Sequence, residues 1–138
     1  MGIRIKRVAV LGSGVMGQGI AAHLANAGIP SYLFDIAPRE LAPDEEKRGL
    51  TLEDRAVRNR ISEAGKASML KAKPALLYHA GFGELVTPCN YDDDADLLGE
   101  CDWIVEVVVE DIRIKQRVFA MVDDKRRPGS IVSSNTSG

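Results

Sequence analysis

The stretch Val8–Gly19, VAVLGSGVMGQG, decides how this chain folds. Arg7–Leu11 is a short run rich in valine and leucine, suited to a buried strand. From Val15 onward Ile20, Leu24 and Ala27 recur at spacings of four and three, which predicts a helix closed by Gly28. Between strand and helix, Gly12, Gly14 and Gly17 spell G-x-G-x-x-G. Alone that spacing arises by chance; directly after a strand and at the opening of a helix it has a physical meaning. Gly12 permits the tight turn, Gly14 lets the backbone approach a pyrophosphate with no Cβ in the way, and Gly17 allows the helix to lie close on the sheet. The free N–H groups around Val15 and Met16 then face phosphates at the positive end of the helix dipole.

The next strand, Ser31–Asp35 (SYLFD), ends on an acid. Asp35 at that point can accept hydrogen bonds from both hydroxyls of an adenosine ribose, and its charge opposes a 2′-phosphate. NAD is therefore expected in preference to NADP. Arg39 lies close enough in sequence to offer a cation to a 2′-phosphate, or it is a solvated surface arginine.

Further along, residues 38–88 form an irregular, partly helical excursion. "IAPRELAPDEEKRG" reads as surface chain, and Thr51–Asp54 (TLED) as a capping box opening a helix that runs to about Lys71. Val57, Ile61, Ala64 and Ser68 are expected along one face of that helix. A short strand is expected near Leu85–Thr87, then a short helix in "DDADLLGEC". Trp103–Val109 (WIVEVVV) is the strongest strand, apolar on both faces except for Glu106, as a central parallel strand requires. Glu106 is either paired internally or placed near the crevice. Ile112–Arg126 is helical, with Ile114, Val118, Met121 and Val122 inward, and SIVSSN is the last strand. Alternating strands and helices make the fold class α/β: a doubly wound, mainly parallel sheet with helices on both faces.

Composition narrows the function. A formal net charge of −2, from 18 basic and 20 acidic residues, does not suit a general nucleic-acid binder. No apolar run approaches the roughly 18–20 residues that span a bilayer, so no membrane partner is expected. Cys89 and Cys101 match no metal spacing and read as free thiols, as in a cytoplasmic protein.

Taken together, "KRVAVLGSGVMGQGIAAHLANAGIPSYLFD", "WIVEVVVEDIRIKQRVF" and "IVSSNTSG" resemble the N-terminal domain of L-3-hydroxyacyl-CoA dehydrogenases of fatty-acid β-oxidation. The likeness is close at both ends of the chain and poor over Pro38–Pro88, where the long excursion looks like the larger bacterial members. The resemblance implies a Rossmann-type NAD-binding domain over residues 1–138. It also implies oxidation of a (3S)-hydroxyacyl-CoA to the ketone, with hydride passing to NAD. Glu110 and Lys115 match positions that contact the nicotinamide-side ribose. Ser137 matches the serine that hydrogen-bonds the reacting oxygen of the substrate. The family's histidine, glutamate and asparagine lie downstream of that serine, in a C-terminal substrate and dimerisation domain. The chain is thus expected to stop inside an active site, binding cofactor but turning over little or no substrate. Neither His23 nor His79 is placed as a base. Lys71 matches loosely a lysine near the CoA end, within a cluster of Arg55, Arg58, Arg60, Lys66 and Lys73 that otherwise reads as a solvated face. Two other readings stay open: the cofactor domain of a related NAD-dependent hydroxyacid or sugar-acid dehydrogenase, and a non-enzymatic NAD-binding protein.

Overall fold

The computed structural model describes residues 4–107 and 111–134. Five strands, β1 (Val8–Leu11), β2 (Ser31–Asp35), β3 (Val86–Asn90), β4 (Trp103–Glu106) and β5 (Ile131–Ser134), form one sheet in the order β3-β2-β1-β4-β5. Every pairing is parallel. The strand order reverses between β1 and β4, and at such a switch point a crevice opens beyond the carboxyl ends of the strands.

Alternation along β1 divides the core in two, because successive side chains of a strand point to opposite faces. Ala9 and Leu11 join Phe34, Cys89, Leu98, Ile104, Val118 and Val122 on one face. Val8 and Val10 join Ala21, Leu24, Leu33, Met69 and Val105 on the other. The second face is covered by α1 (Val15–Asn26) and α4 (Arg60–Lys71), the first by α6 (Ile112–Lys125) and the 3₁₀ turn Ala95–Glu100. The helix α1 ends as the sequence predicts, with Gly28 at φ +80° supplying the left-handed residue that other side chains resist.

Residues 38–88 depart most from expectation. "IAPRELAPDEEKRG" is not only surface chain: it holds a one-turn helix, α2 (Pro43–Lys47), whose Glu45 is buried and meets Arg60 at 3.3 Å. Thr51–Asp54 forms half of the expected box: the Thr51 N–H donates to Asp54 Oδ2 at 2.7 Å, but the Asp54 N–H goes to the Thr51 carbonyl oxygen at 3.1 Å and Thr51 Oγ1 accepts from the Glu53 N–H at 3.2 Å. Those bonds build a turn ahead of the helix; α3 starts later, over Arg55–Arg58. Asn59 then interrupts the helix before α4, and the phase shifts. The buried positions are Val57, Asn59, Ser62, Gly65 and Met69, while Ala64 and Ser68 are exposed. Strand β3 runs to Asn90, beyond the expected Thr87, and Tyr91–Asp94 (α5) follows it directly. Strand β4 ends at Glu106; Val108 and Val109 lie outside the described residues.

Three of the basic residues in the excursion are engaged in ion pairs within the fold. Arg55 pairs with Asp94 at 3.0 Å, Arg58 with Asp93 at 2.6 Å, and Arg60 with Glu45. Cys89 and Cys101 are free, as the sequence suggests, and both are buried.

Candidate cofactor-binding site

The switch-point crevice gathers the glycine loop, the end of β2 and the chain after β4. Gly12 takes φ +120°, and a Cβ there would stand 2.8 Å from the Val107 carbonyl oxygen. At Gly17 a Cβ would meet the Gly12 carbonyl oxygen at 1.8 Å, so any side chain would push α1 off the loop. Gly14 differs from both: nothing lies within 4 Å of where its Cβ would be, so a side chain there would occupy the space in front of the loop. Gly14 is also the N-cap of α1 and no side chain caps that helix, leaving the first-turn N–H groups, Val15 and Met16 among them, without intrahelical acceptors. Open space at Gly14 before uncapped helical N–H groups is a cradle for an anion of pyrophosphate size.

Asp35 stands across from this cradle. A narrow cavity of about 70 Å³ is lined by Gly12, Ser13, Gly14, Asp35, Ile36, Tyr91, Val107 and Ile114. Asp35 Oδ2 accepts from the Ser13 N–H at 2.9 Å and from the Ser13 hydroxyl at 2.5 Å, and Oδ1 accepts from the Ile36 N–H at 2.8 Å. Three of the roughly four acceptor positions of a carboxylate are thus occupied, and the remaining capacity is on Oδ1. A larger cavity of about 260 Å³ shares Ile36, Tyr91 and Ile114 with the first, adds Val118 and Met121, and has Arg39 and Arg117 in its wall. Its apolar lining, next to a carboxylate, is of a kind that receives a flat base beside its ribose.

Tyr91 joins the two cavities. Its ring stacks on Phe34 at 5.8 Å, nearly parallel at 8°. The hydroxyl oxygen is buried and, among the described residues, has no hydrogen-bond partner. Burial, then the carboxylates of Asp35 and Glu106, push its ionisation well above the usual tyrosine range, so it stays a donor. Glu106, at the carboxyl end of β4, is buried and accepts from the Ser134 hydroxyl at 3.0 Å. An internal pairing is therefore present, one of the two alternatives the sequence offers.

Of the residues singled out from sequence, Gly12, Gly14, Val15, Met16, Gly17 and Asp35 come together at the crevice. Lys115 lies half-buried in the first turn of α6, next to Ile114. Glu110 and Ser137 lie outside the described residues. Lys71 is not part of this group: it is exposed at the end of α4, close to a separate apolar cavity lined by Met69, Leu70 and Leu76. Arg39 is in the wall of the larger cavity, which is closer to the site than a plain surface position. Three residues escape a sequence reading. Ser13 looks like the arbitrary x of the motif, and Tyr91 has no local signal. Gly65 did carry one, since a glycine inside a helix costs about 1 kcal/mol relative to alanine and so implies a packing or functional reason.

A parallel sheet with a glycine loop at its switch point and an acid ending the second strand defines a dinucleotide-binding domain of the Rossmann type. The 3-hydroxyacyl-CoA dehydrogenase NAD-binding domain matches residues 7–138, and the chain belongs to that family. Over 134 residues it is 56% identical to the "Probable 3-hydroxyacyl-CoA dehydrogenase" of Bacillus subtilis, a match covering 97% of this chain and 17% of that protein. The crystal structure of FadB2 from M. tuberculosis is 31% identical with a TM-score of 0.59, covering 98% of this chain and 42% of that one. The 3-hydroxybutyryl-CoA dehydrogenase of Escherichia coli K12 shares the fold, with a TM-score of 0.61 at 24% identity over 98% of this chain and 25% of that chain. The chain thus spans less than a fifth of the Bacillus protein and less than half of either solved one.

Proposed function

We propose that this chain is the cofactor-binding part of an NAD-dependent enzyme that oxidises (3S)-hydroxyacyl-CoA to 3-oxoacyl-CoA in fatty-acid β-oxidation. The observation that carries the reading is the Asp35 carboxylate beside the glycine loop at the uncapped start of α1, where Gly14 leaves open space. Gly12, Gly14 and Gly17 shape the cradle, and the N–H groups of Val15 and Met16 serve the pyrophosphate. Asp35 accepts from the adenosine ribose, where its charge disfavours a 2′-phosphate. Glu110 and Lys115 take the nicotinamide-side ribose. NAD, when bound, supplies the hydride acceptor.

Ser137 holds the reacting oxygen of the substrate. The base that takes the hydroxyl proton, with its glutamate and asparagine partners, belongs to a further domain of a longer protein. That domain also carries the dimer contacts, and the parent protein is cytoplasmic. Lys71 is an exposed cation available to a CoA phosphate. Arg55, Arg58 and Arg60 are poorer choices for that task because each already has a carboxylate partner.

Titration of the chain with NADH and, separately, NADPH, followed by nicotinamide fluorescence, tests the cofactor half of the proposal. Saturable NADH binding is expected, at least ten-fold tighter than NADPH and weakened about ten-fold or more by Asp35→Ala, since a charged hydrogen bond is worth about 1.5–3 kcal/mol. A folded chain that binds neither nucleotide, alone or joined to the remaining domain, overturns it.

A further inference from the structure

Ser13 sits where a motif reading expects a filler, yet it is 5% exposed and reaches two neighbouring elements. Toward β2 it gives two donors to one carboxylate oxygen, Asp35 Oδ2, at 2.9 and 2.5 Å. The second is within the range of a charge-assisted O–H···O⁻ bond, roughly twice as strong as a neutral one. Toward α4 it abuts Gly65: a Cβ on residue 65 would stand 2.7 Å from Ser13 Cβ and 2.7 Å from the Ser13 carbonyl oxygen. The Ser13 carbonyl is further held by the Gln18 side-chain amide at 3.0 Å. Ser13 is thus fixed on three sides: carboxylate, helix backbone and amide.

We infer that Ser13 is a positioning residue for cofactor selection: its hydroxyl fixes the Asp35 carboxylate, and α4 fixes Ser13 through the side-chain-free Gly65. The inference rests on the reading of Asp35 as the ribose acceptor. With Oδ2 tied down, Asp35 offers the ribose one oxygen, Oδ1, in one orientation. Without the hydroxyl, Oδ2 retains only the backbone N–H and the carboxylate gains rotational freedom, which the nucleotide must then remove on binding. A 2′-phosphorylated nucleotide, which gains nothing from an ordered Asp35, does not lose in the same proportion. Selection between NAD and NADP is therefore set by residues 13, 35 and 65 acting as a unit, across two elements beyond the glycine loop itself.

The test is a thermodynamic cycle on NADH binding with Ser13→Ala, Asp35→Ala and the double variant, with the thermal midpoint of each recorded. Ser13→Ala is expected to weaken NADH about three- to ten-fold, to lower the NADH-to-NADPH affinity ratio, and to have no further effect once Asp35 is alanine. Gly65→Ala, which touches no nucleotide, is expected to weaken NADH at least as much as Ser13→Ala. Unchanged or tighter NADH binding by Ser13→Ala overturns the inference. So does an equal loss in the Asp35→Ala background, which would make the effect one of packing alone. If the unmodified chain binds no NADH, alone or joined to the remaining domain, the cofactor reading itself fails and takes this inference with it. Normal binding by the unmodified chain with an inert Ser13→Ala removes only the positioning role.

Discussion

Cys89 and Cys101 line the core on the α6 side of the sheet, and burial pushes both thiols up to about 12 from an ordinary 9.0. The reactive species of a cysteine is the thiolate, so both are inert in the folded chain at neutral pH. Iodoacetamide at pH 8 is expected to modify neither in the native protein and both in urea, read by mass. Linkage gives the pH dependence. Between the unfolded value and about 12 the folded state holds protons that the unfolded state has released, so stability declines as pH rises from about 9. At the same scale, legibility follows chemistry. Gly12, Gly14 and Asp35 announce themselves because the motif spacing and an acid ending the second strand are legible in residue type alone. Ser13 and Tyr91 do not, since their contacts come from what the fold brings beside them: a carboxylate from β2 in one case, an aromatic ring from β2 in the other.

Among the elements, α6 shows how a local cap serves the site. Asp111 is its N-cap, accepting from the N–H groups of Arg113 at 2.9 Å and Ile114 at 3.3 Å. The capped turn carries Ile114, part of the wall of both cavities. Asp111→Ala should cost about 1 kcal/mol in urea unfolding, with an accompanying loss of NADH affinity as the first turn frays. The helical elements between β2 and β3 show the opposite case, in which sequence periodicity misleads. An apolar pattern through Val57, Ile61, Ala64 and Ser68 assumes one unbroken helix. Asn59 breaks it, and its own buried side chain accepts from the Asn90 amide at 2.7 Å. The face that packs inward is then polar and small, Ser62 and Gly65 before Met69, and no hydrophobic count can find it. Strands fared better because β1, β2 and β4 are buried on both faces, and continuous apolar runs mark such strands directly.

At the scale of the whole molecule, Asp102 ties the two halves of the sheet together. Its carboxylate accepts from the backbone N–H groups of Lys6 at 2.8 Å and Arg7 at 3.1 Å, just before β1, and it also binds Arg127, between α6 and β5. These bonds, the Lys6 N–H first and the Arg127 guanidinium next, hold Asp102 below the usual carboxylate range. A depressed folded value means the contribution is complete above the unfolded pKa of about 3.9 and is lost as pH falls through the folded one. Urea unfolding should show stability falling below about pH 4 in the native chain. Asp102→Ala should remove about 1–3 kcal/mol at pH 7 and flatten that acid limb.

The order β3-β2-β1-β4-β5 also leaves the sheet with two rims of unequal character. On the β3 rim Pro88 interrupts the row of N–H donors, and a strand laid against it would find a gap. Ile131–Ser134 on the β5 rim has no proline and pairs with β4. Association through exposed sheet backbone is thus disfavoured at β3, where the donor missing at Pro88 keeps a neighbouring strand from completing its ladder.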